Sequence, residues 1–528
     1  MRRNAWLAVL CCAFFSNAFF IAGCTKVGPD FHRPEVVVVQ DWKETENPSI
    51  KSAPADSRDW WQAFNDPVLN RLIDRAYGQN LPLRIAGLRV LEARAQLGIA
   101  VGELYPQSQQ AFGFLEYNRV SASASRATFV PSQKFWQSEL GLSASWEIDF
   151  WGKFRRAVES ANAGWLASVA DYDNVLVSLT ADVASSYIVL RTIEKRIDIA
   201  RQNAEIQKEN LKIAEARFRY GSVSELDVEQ AKTVLNSSLA SIPALETQLQ
   251  QTKNALSILL GMAPHNLMNL LEGASNIPAP PTEIAVGIPA ELLRRRPDIR
   301  AAEYRAELQC ALIGVAKADL YPAFSLTGVL GFLSSNVAGF HLGDMFQWDS
   351  RNILAGPIVR WNILNYGQIT NAVRVQDARL QELLVAYQNV VLQAQQEVED
   401  ALVAFLKAQE RADYLARSAE AARRSLEIAS FQYQEGTKDF TTVLTAQQAL
   451  LTEQDNLVST LGDISRNLVG VYRALGGGWQ IREGKELVPP EVIEAMAKRT
   501  NWGNLLAPAV YVPPAETGSE SLLRPPDW

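Results

Sequence analysis

Few side chains in this 528-residue sequence have the types and spacings that perform chemistry. The three histidines, His32, His265 and His341, lie far apart, with no glycine-rich phosphate loop, paired CxxC or spaced histidine motif to accompany them. No catalytic residue and no metal-ligand set follows, which favours a conduit or a structural protein over an enzyme. The four cysteines say more. Cys11 and Cys12 lie within an apolar run from Trp6 to Ile21 that follows Arg2 and Arg3; it is too short and too early for a membrane span and reads as a secretory signal. Cys24 closes that run. Cys310 is then the one cysteine left unmodified in the exported chain, so a disulfide within it is excluded.

The small residues ahead of Cys24, in Ile21-Ala22-Gly23-Cys24, resemble the lipobox at which bacterial lipoproteins are cut and acylated. Cleavage between Gly23 and Cys24 would remove residues 1–23 and leave Cys24 to carry N-acyl and S-diacylglycerol lipid; no other cofactor is expected. Thr25, where aspartate would retain the protein at the inner membrane, implies sorting to the outer membrane. Losing Arg2 and Arg3 takes the formal charge from −7 to −9, a balance unsuited to binding nucleic acid.

The elements around these residues repeat. Pro82 and Pro297, Trp146 and Trp361, Gly221 and Gly436, and Gly261 and Gly476 are each 215 residues apart, and Tyr105-Pro106 answers Tyr321-Pro322 at 216. A single such pair is coincidence, but pairs held in one register mark a duplication. Each copy reads helix, strand, strand, long helix, turn, helix. The expected divisions are an N-terminal arm over 24–65, a first repeat over 66–261, an equatorial linker over 262–288, a second repeat over 289–476 and a C-terminal equatorial segment over 477–528.

From Trp136 to Phe150 the sequence alternates strictly: Trp136, Leu140, Leu142, Trp146, Ile148 and Phe150 share one face, while Gln137, Glu139, Ser143, Ser145, Glu147 and Asp149 share the other. One apolar and one wet face, with aromatic residues near both ends, suit a strand of an outer-membrane barrel. The second copy repeats this more loosely through Phe324–Phe332 and Ile353–Ile363, giving four strands per chain. Four strands cannot enclose a channel, since single-chain barrels begin at about eight, so several chains must share one barrel. Ser121-Ala122-Ser123-Ala124-Ser125 and the stretch 334–350 are the expected hairpin tips.

After Gly152 no proline interrupts the chain until past Tyr220, and after Gly367 neither proline nor glycine intervenes before Gly436. Tyr387, Val391, Ala394, Val398, Leu402, Phe405, Ala412, Ala419, Leu426, Ala429 and Tyr433 recur at helical steps. The first copy carries one such stripe through Tyr172, Leu176, Val183, Tyr187 and Leu190, and a second through Val177, Ile188, Ile199, Ile206 and Ile213. Two seams imply two neighbours, as in a single-layer cylinder; a coiled-coil stalk is the rival reading. A helix of about 65 residues would reach roughly 100 Å, far beyond the ~30 Å core of a bilayer. Pro243 should kink or interrupt the first return helix.

Leu292-Leu293-Arg294-Arg295-Arg296-Pro297-Asp298-Ile299-Arg300, Ile313-Gly314-Val315-Ala316, Tyr321-Pro322 and Ser325-Leu326-Thr327-Gly328 resemble the NodT branch of TolC-like outer-membrane efflux lipoproteins. Gly28-Pro29-Asp30-Phe31, Ser145-Trp146-Glu147-Ile148-Asp149-Phe150-Trp151-Gly152 and Ile242-Pro243-Ala244-Leu245-Glu246 extend the likeness over most of the chain. The resemblance implies an α+β membrane protein: a homotrimeric duct with a shared twelve-stranded β-barrel, a periplasmic helical barrel and an equatorial belt. It also implies a passive exit path for small toxic compounds, docked to a periplasmic membrane-fusion adaptor and driven by an inner-membrane resistance-nodulation-division transporter. Protein secretion through a similar duct, or a non-conducting lipid-anchored stalk, are the alternatives.

On that resemblance the adaptor-docking tips are Phe218, Tyr220, Gly221, Leu226 and Val228 on the first hairpin and Tyr433, Gly436, Phe440, Val443 and Leu444 on the second; two ordinary helical turns with core residues beside them are the alternative. Related ducts place acidic residues just past the second tip glycine, where this chain has Thr442 and Thr445. Asp439 is the nearby carboxylate, and these three residues are the candidate periplasmic gate.

Overall fold

The computed structural model describes residues 26–506, apart from 49, 52–57, 122, 124–131, 265–266, 274–275, 282, 288 and 338–340. The signal segment with Gly23 and Cys24, His265, most of the serine-rich loop and the end of the chain after 506 lie outside the described residues.

The duplication is visible element by element. In the first half, helix α1 (Pro67–Gln79) leads to α2 (Leu81–Gly102), strands β2 (Ser108–Arg119) and β3 (Lys134–Ile148), a long helix α3 (Lys153–Arg219) and its return α4 (Glu225–Leu259). In the second, α5 (Pro289–Arg295) leads to α6 (Pro297–Ala318), β5 (Ala323–Ser335), β6 (Arg351–Arg360), α7 (Gln368–Gln434) and α8 (Phe440–Ala474). The matching helices have equal lengths: 22 residues for α2 and α6, 67 for α3 and α7, 35 for α4 and α8. At about 1.5 Å per residue each long helix reaches roughly 100 Å. A short helix α9 (Pro490–Arg499) follows, and β1 (Ile50–Lys51) pairs in parallel with β4 (Ile284–Ala285) beside the helices.

Local sequence explains the boundaries. Asp66 caps α1 by accepting from the Val68 and Leu69 N–H groups, Asn80 caps α2 by accepting from Leu83 N–H, and Pro297 opens α6. Both hairpins turn at a glycine in the left-handed region, Gly221 with φ 72° and Gly436 with φ 74°. Strand β3 stops at Ile148, two residues short of the alternating pattern, because Asp149 turns inward to accept from the Phe154 and Arg155 N–H groups at the start of α3. Of the kink or interruption expected at Pro243, the interruption does not occur: helix α4 runs on through it and matches α8 in length.

The four long strands form one antiparallel sheet in the order β2-β3-β5-β6. The largest core sits at the equator, where Trp42, Trp60, Trp61 and Phe64 join Tyr172, Tyr187, Phe405 and Trp479. Helix α3 is long and apolar enough by composition to cross a bilayer, but its apolar stretch is mostly buried against other helices.

Candidate functional site

The register sorts the sheet into two faces. Leu140 opposes Gly113 and Phe332, Leu142 opposes Ala111 and Leu330, and Trp146 opposes Leu326, so one face is apolar; its leucines are exposed, and Trp146 and Phe332 are half-buried. The other carries Gln137, Glu139, Ser143, Ser145, Ser325, Thr327 and Asn352, with Phe112, Phe114 and Leu354 among them; Asn352 Nδ2 donates to Glu139 Oε1 at 3.1 Å. Aromatic residues bracket the apolar face. Tyr117 and Trp136 pack 5.3 Å apart at the end away from the helices, and Trp146 and Phe324 stand at the other. The eleven residues from Trp136 to Trp146 span about 33 Å of strand; tilted as barrel strands are, they rise roughly 25 Å, the height of an apolar membrane band. Among the described residues, strands β2 and β6 have no partner on their outer edges. An open edge in hydrocarbon leaves backbone groups unsatisfied, so a membrane-embedded sheet of this kind must be closed by further strands.

Below the sheet, α3 packs against α2, α4, α6 and α8, whereas α7 packs mainly against α6 and α8. The α3–α8 seam is close and polar. A Cβ on Gly462 would lie 2.3 Å from Thr192 Oγ1, Arg196 binds Asp455 through two hydrogen bonds of 2.7 and 3.0 Å, and Asn203 Nδ2 donates to Gln454 Oε1 at 2.9 Å. Of the second stripe expected on α3, Val177 and Ile188 are buried, Ile199 and Ile213 are half-buried and Ile206 is exposed, so that seam fades toward the tip.

The ten tip residues divide. Phe218, Tyr220, Gly221, Leu226 and Gly436 are exposed, with Tyr220 at 84%. Val228, Tyr433, Phe440, Val443 and Leu444 are buried with Ala214, Ala231, Leu426 and Ala429 in a core that joins the hairpins, so these five are covered within the chain itself. A helical apolar spacing marks a covered face without saying what covers it. Arg217, which the sequence pattern did not single out, ties the tips together: its guanidinium lies 4.6 Å from the Tyr433 ring centroid, and its Nη1 donates to the Tyr433 carbonyl. The available signal was a basic residue in the last turn of α3. Asp439, Thr442 and Thr445 are exposed together at the start of α8; Thr445 Oγ1 donates to the Thr441 carbonyl, and Asp439 does not cap the helix with its side chain.

Two further assemblies fix the frame. Residues 26–43 descend along the helices. Arg156 donates to the Val27 and Gly28 carbonyls and pairs with Asp30 at 2.9 Å, and Cys310 Sγ donates to the Pro29 carbonyl. Lower down, the Gln395 amide accepts from Val39 N–H at 3.0 Å and donates to the Val37 carbonyl at 3.3 Å. The hydrogen bond from Arg156 holds the Asp30 carboxyl below its ordinary range. At the equator, buried Asp173 accepts from Arg482, with Arg300 at 3.6 Å, and both guanidinium groups lie over the Trp479 ring. Burial pushes the Asp173 carboxyl up while Arg482 pulls it back. Nearby, Tyr187 donates to Asp66 at 2.8 Å and accepts from Arg191, which also donates to the Leu271 carbonyl of the linker; burial pushes the Tyr187 phenol up to about 12.

The same architecture occurs in known proteins. The family model described as outer membrane efflux protein matches residues 72–262 and again 288–477, once for each repeat. The chain is 28% identical over 470 residues to nodulation protein T of Rhizobium leguminosarum bv. trifolii, covering 88% of this chain and 96% of that protein. It is 33% identical over 448 residues to the pyoverdine export outer membrane protein OpmQ of Pseudomonas putida, covering 82% and 91%. The solved outer-membrane channel OprN superposes with a TM-score of 0.80 at 32% identity, over 86% of this chain and all (100%) of that one.

Proposed function

Because the chain belongs to the outer membrane efflux protein family and is an outer-membrane efflux channel of TolC-like, internally duplicated α+β fold, we propose that three copies close one barrel and form a passive exit duct through which small toxic compounds leave the cell. The observation that carries this reading is the four-stranded sheet with two open edges, joined to helices of roughly 100 Å. Three such sheets supply twelve strands, and closing them edge to edge satisfies β2 and β6 alike. The duct performs no chemistry of its own. An inner-membrane transporter of the resistance-nodulation-division type supplies the energy, and a periplasmic membrane-fusion adaptor joins it to the exposed tip residues Phe218, Tyr220 and Leu226. Asp439, Thr442 and Thr445 line the narrow end, and Cys24 carries the lipid anchor.

Deleting the gene and following intracellular accumulation of a fluorescent efflux dye tests this reading. Accumulation should rise and return to normal when the intact chain is restored. Unchanged accumulation, with the chain expressed and no redundant duct present, would sink it.

A further inference from the structure

The apolar face of the sheet ends in cations at the edge away from the helices. Register places Arg119 directly opposite Lys134, and Arg351 opposite Phe332, all on the face that carries Tyr117, Trp136, Leu140 and Leu330. All three cationic side chains are exposed. Arg119 and Lys134 stand two residues beyond Tyr117 and Trp136, about 7 Å further along the strands, where a barrel passes from hydrocarbon into headgroups.

Nothing within the strands neutralises them. Among the described residues no ion pair joins Arg119, Lys134 or Arg351 to a carboxylate. The loop 120–133 between β2 and β3 contains neither Asp nor Glu and adds Arg126. The nearest strand acids, Glu116 and Glu139, belong to the opposite face, where Glu139 accepts from Asn352. In the second loop Asp344 is engaged by His341 N–H and Gln347, and Asp349 is the exposed acid of that turn. Arg351 is held at the rim over Trp348, 3.4 Å from its ring centroid.

Like charges directly opposite across a strand pair are unfavourable with Cβ atoms about 5 Å apart. An anion between Arg119 and Lys134 reverses that sign, and a phosphate also accepts charge-assisted hydrogen bonds from a guanidinium. The exposed leucines and aromatic rings on the same face offer acyl chains a surface below the charge. We propose that Arg119, Lys134 and Arg351 form an outward-facing rim site for the phosphate groups of outer-leaflet lipids. The inference rests on the barrel reading above. In a closed barrel the β6 edge of one copy adjoins the β2 edge of the next, which brings Arg351 beside the neighbouring copy's Arg119–Lys134 pair.

The test uses the full chain in phosphatidylcholine vesicles with and without diphosphoryl lipid A, counting retained lipid A by native mass spectrometry. The variant R119Q/K134Q/R351Q should retain lipid A at least about tenfold more weakly than the parent, given the contribution of each basic residue near an anionic surface. Lys212→Gln, on the exposed surface of α3, should match the parent. Insertion and conductance of the triple variant in phosphatidylcholine alone show that its barrel is intact. Equal retention by parent and triple variant would overturn the site, as would displacement of lipid A by millimolar inorganic phosphate. Failure of the parent itself to insert in either vesicle would instead bring down the barrel reading, and the rim site with it.

Discussion

The two long helices have the same length and periodicity but different surroundings. Tyr172 and Tyr387, Leu176 and Val391, and Val183 and Val398 are equivalent positions, and all are buried. The next stripe differs: Val177 and Ile188 on α3 are 4% and 0% exposed, while their counterparts on α7, Leu392 and Val403, are 59% and 41% exposed. Within one chain α3 meets the return helix of the other repeat, but α7 has no such seam with α4. The first repeat therefore displays, within one chain, the seam that the second would form with another copy in the assembly proposed above. Its chemistry has diverged, because the positions equivalent to Arg196 and Asp455 are Arg411 and Ala240, and no ion pair can form there.

The largest expected effect comes from placing a charge in both stripes. Ile188→Asp should destabilise the chain itself by more than about 4 kcal/mol. Val403→Asp should leave the single chain within about 0.5 kcal/mol of the parent but abolish association. Denaturant melts followed by circular dichroism, paired with mass photometry, separate these outcomes; equal behaviour at the two positions would end the comparison.

Next in size is the equatorial ion pair. Asp173→Ala strands a buried guanidinium on Arg482 and should cost about 3–5 kcal/mol, whereas Gln388→Ala at the equivalent exposed position should cost less than about 0.5 kcal/mol, both read from the same melts. At the tips, Arg217→Ala removes a cation–π contact and a hydrogen bond, worth about 1–2 kcal/mol together. Amide exchange over 211–234 should quicken, while Gln432→Ala, its counterpart in the second repeat, should leave exchange there unaltered.

The smallest effect concerns the N-terminal arm. Asp30 has a lowered carboxyl pKa in the folded chain, so its contribution is present above the ordinary value of 3.8 and is lost as pH falls through the lower folded value. Acidification below that point should raise exchange over residues 26–30. Asp30→Asn should produce the same loosening already at neutral pH, small because Asp30 is largely exposed.

Much of this was legible in the sequence because it rests on local rules. Strict alternation around Trp136–Trp146 placed the apolar face, and glycines at 215-residue offsets placed the turns. That the two tips share one core was not legible. Phe440 and Tyr433 pack 5.2 Å apart inside a core built from both hairpins, a contact set by elements that periodicity treats one at a time. The docking of residues 26–43 was hidden for the same reason: Gln395 and Arg156 bind backbone carbonyls of the arm, which carry no side-chain signature. At Pro243 the interruption does not follow, because packing along a 35-residue helix outweighs the roughly 3 kcal/mol that an interior proline costs.

The matched helix lengths make the chain a ruler. Both hairpins finish at one depth because α3 equals α7 and α4 equals α8. Adding a heptad to one hairpin alone would stagger its tip by about 10 Å, and adding it to both would lower a level rim by the same distance. Tolerated length changes must therefore occur in pairs, and the distance the duct spans below the membrane is set by a single number written twice.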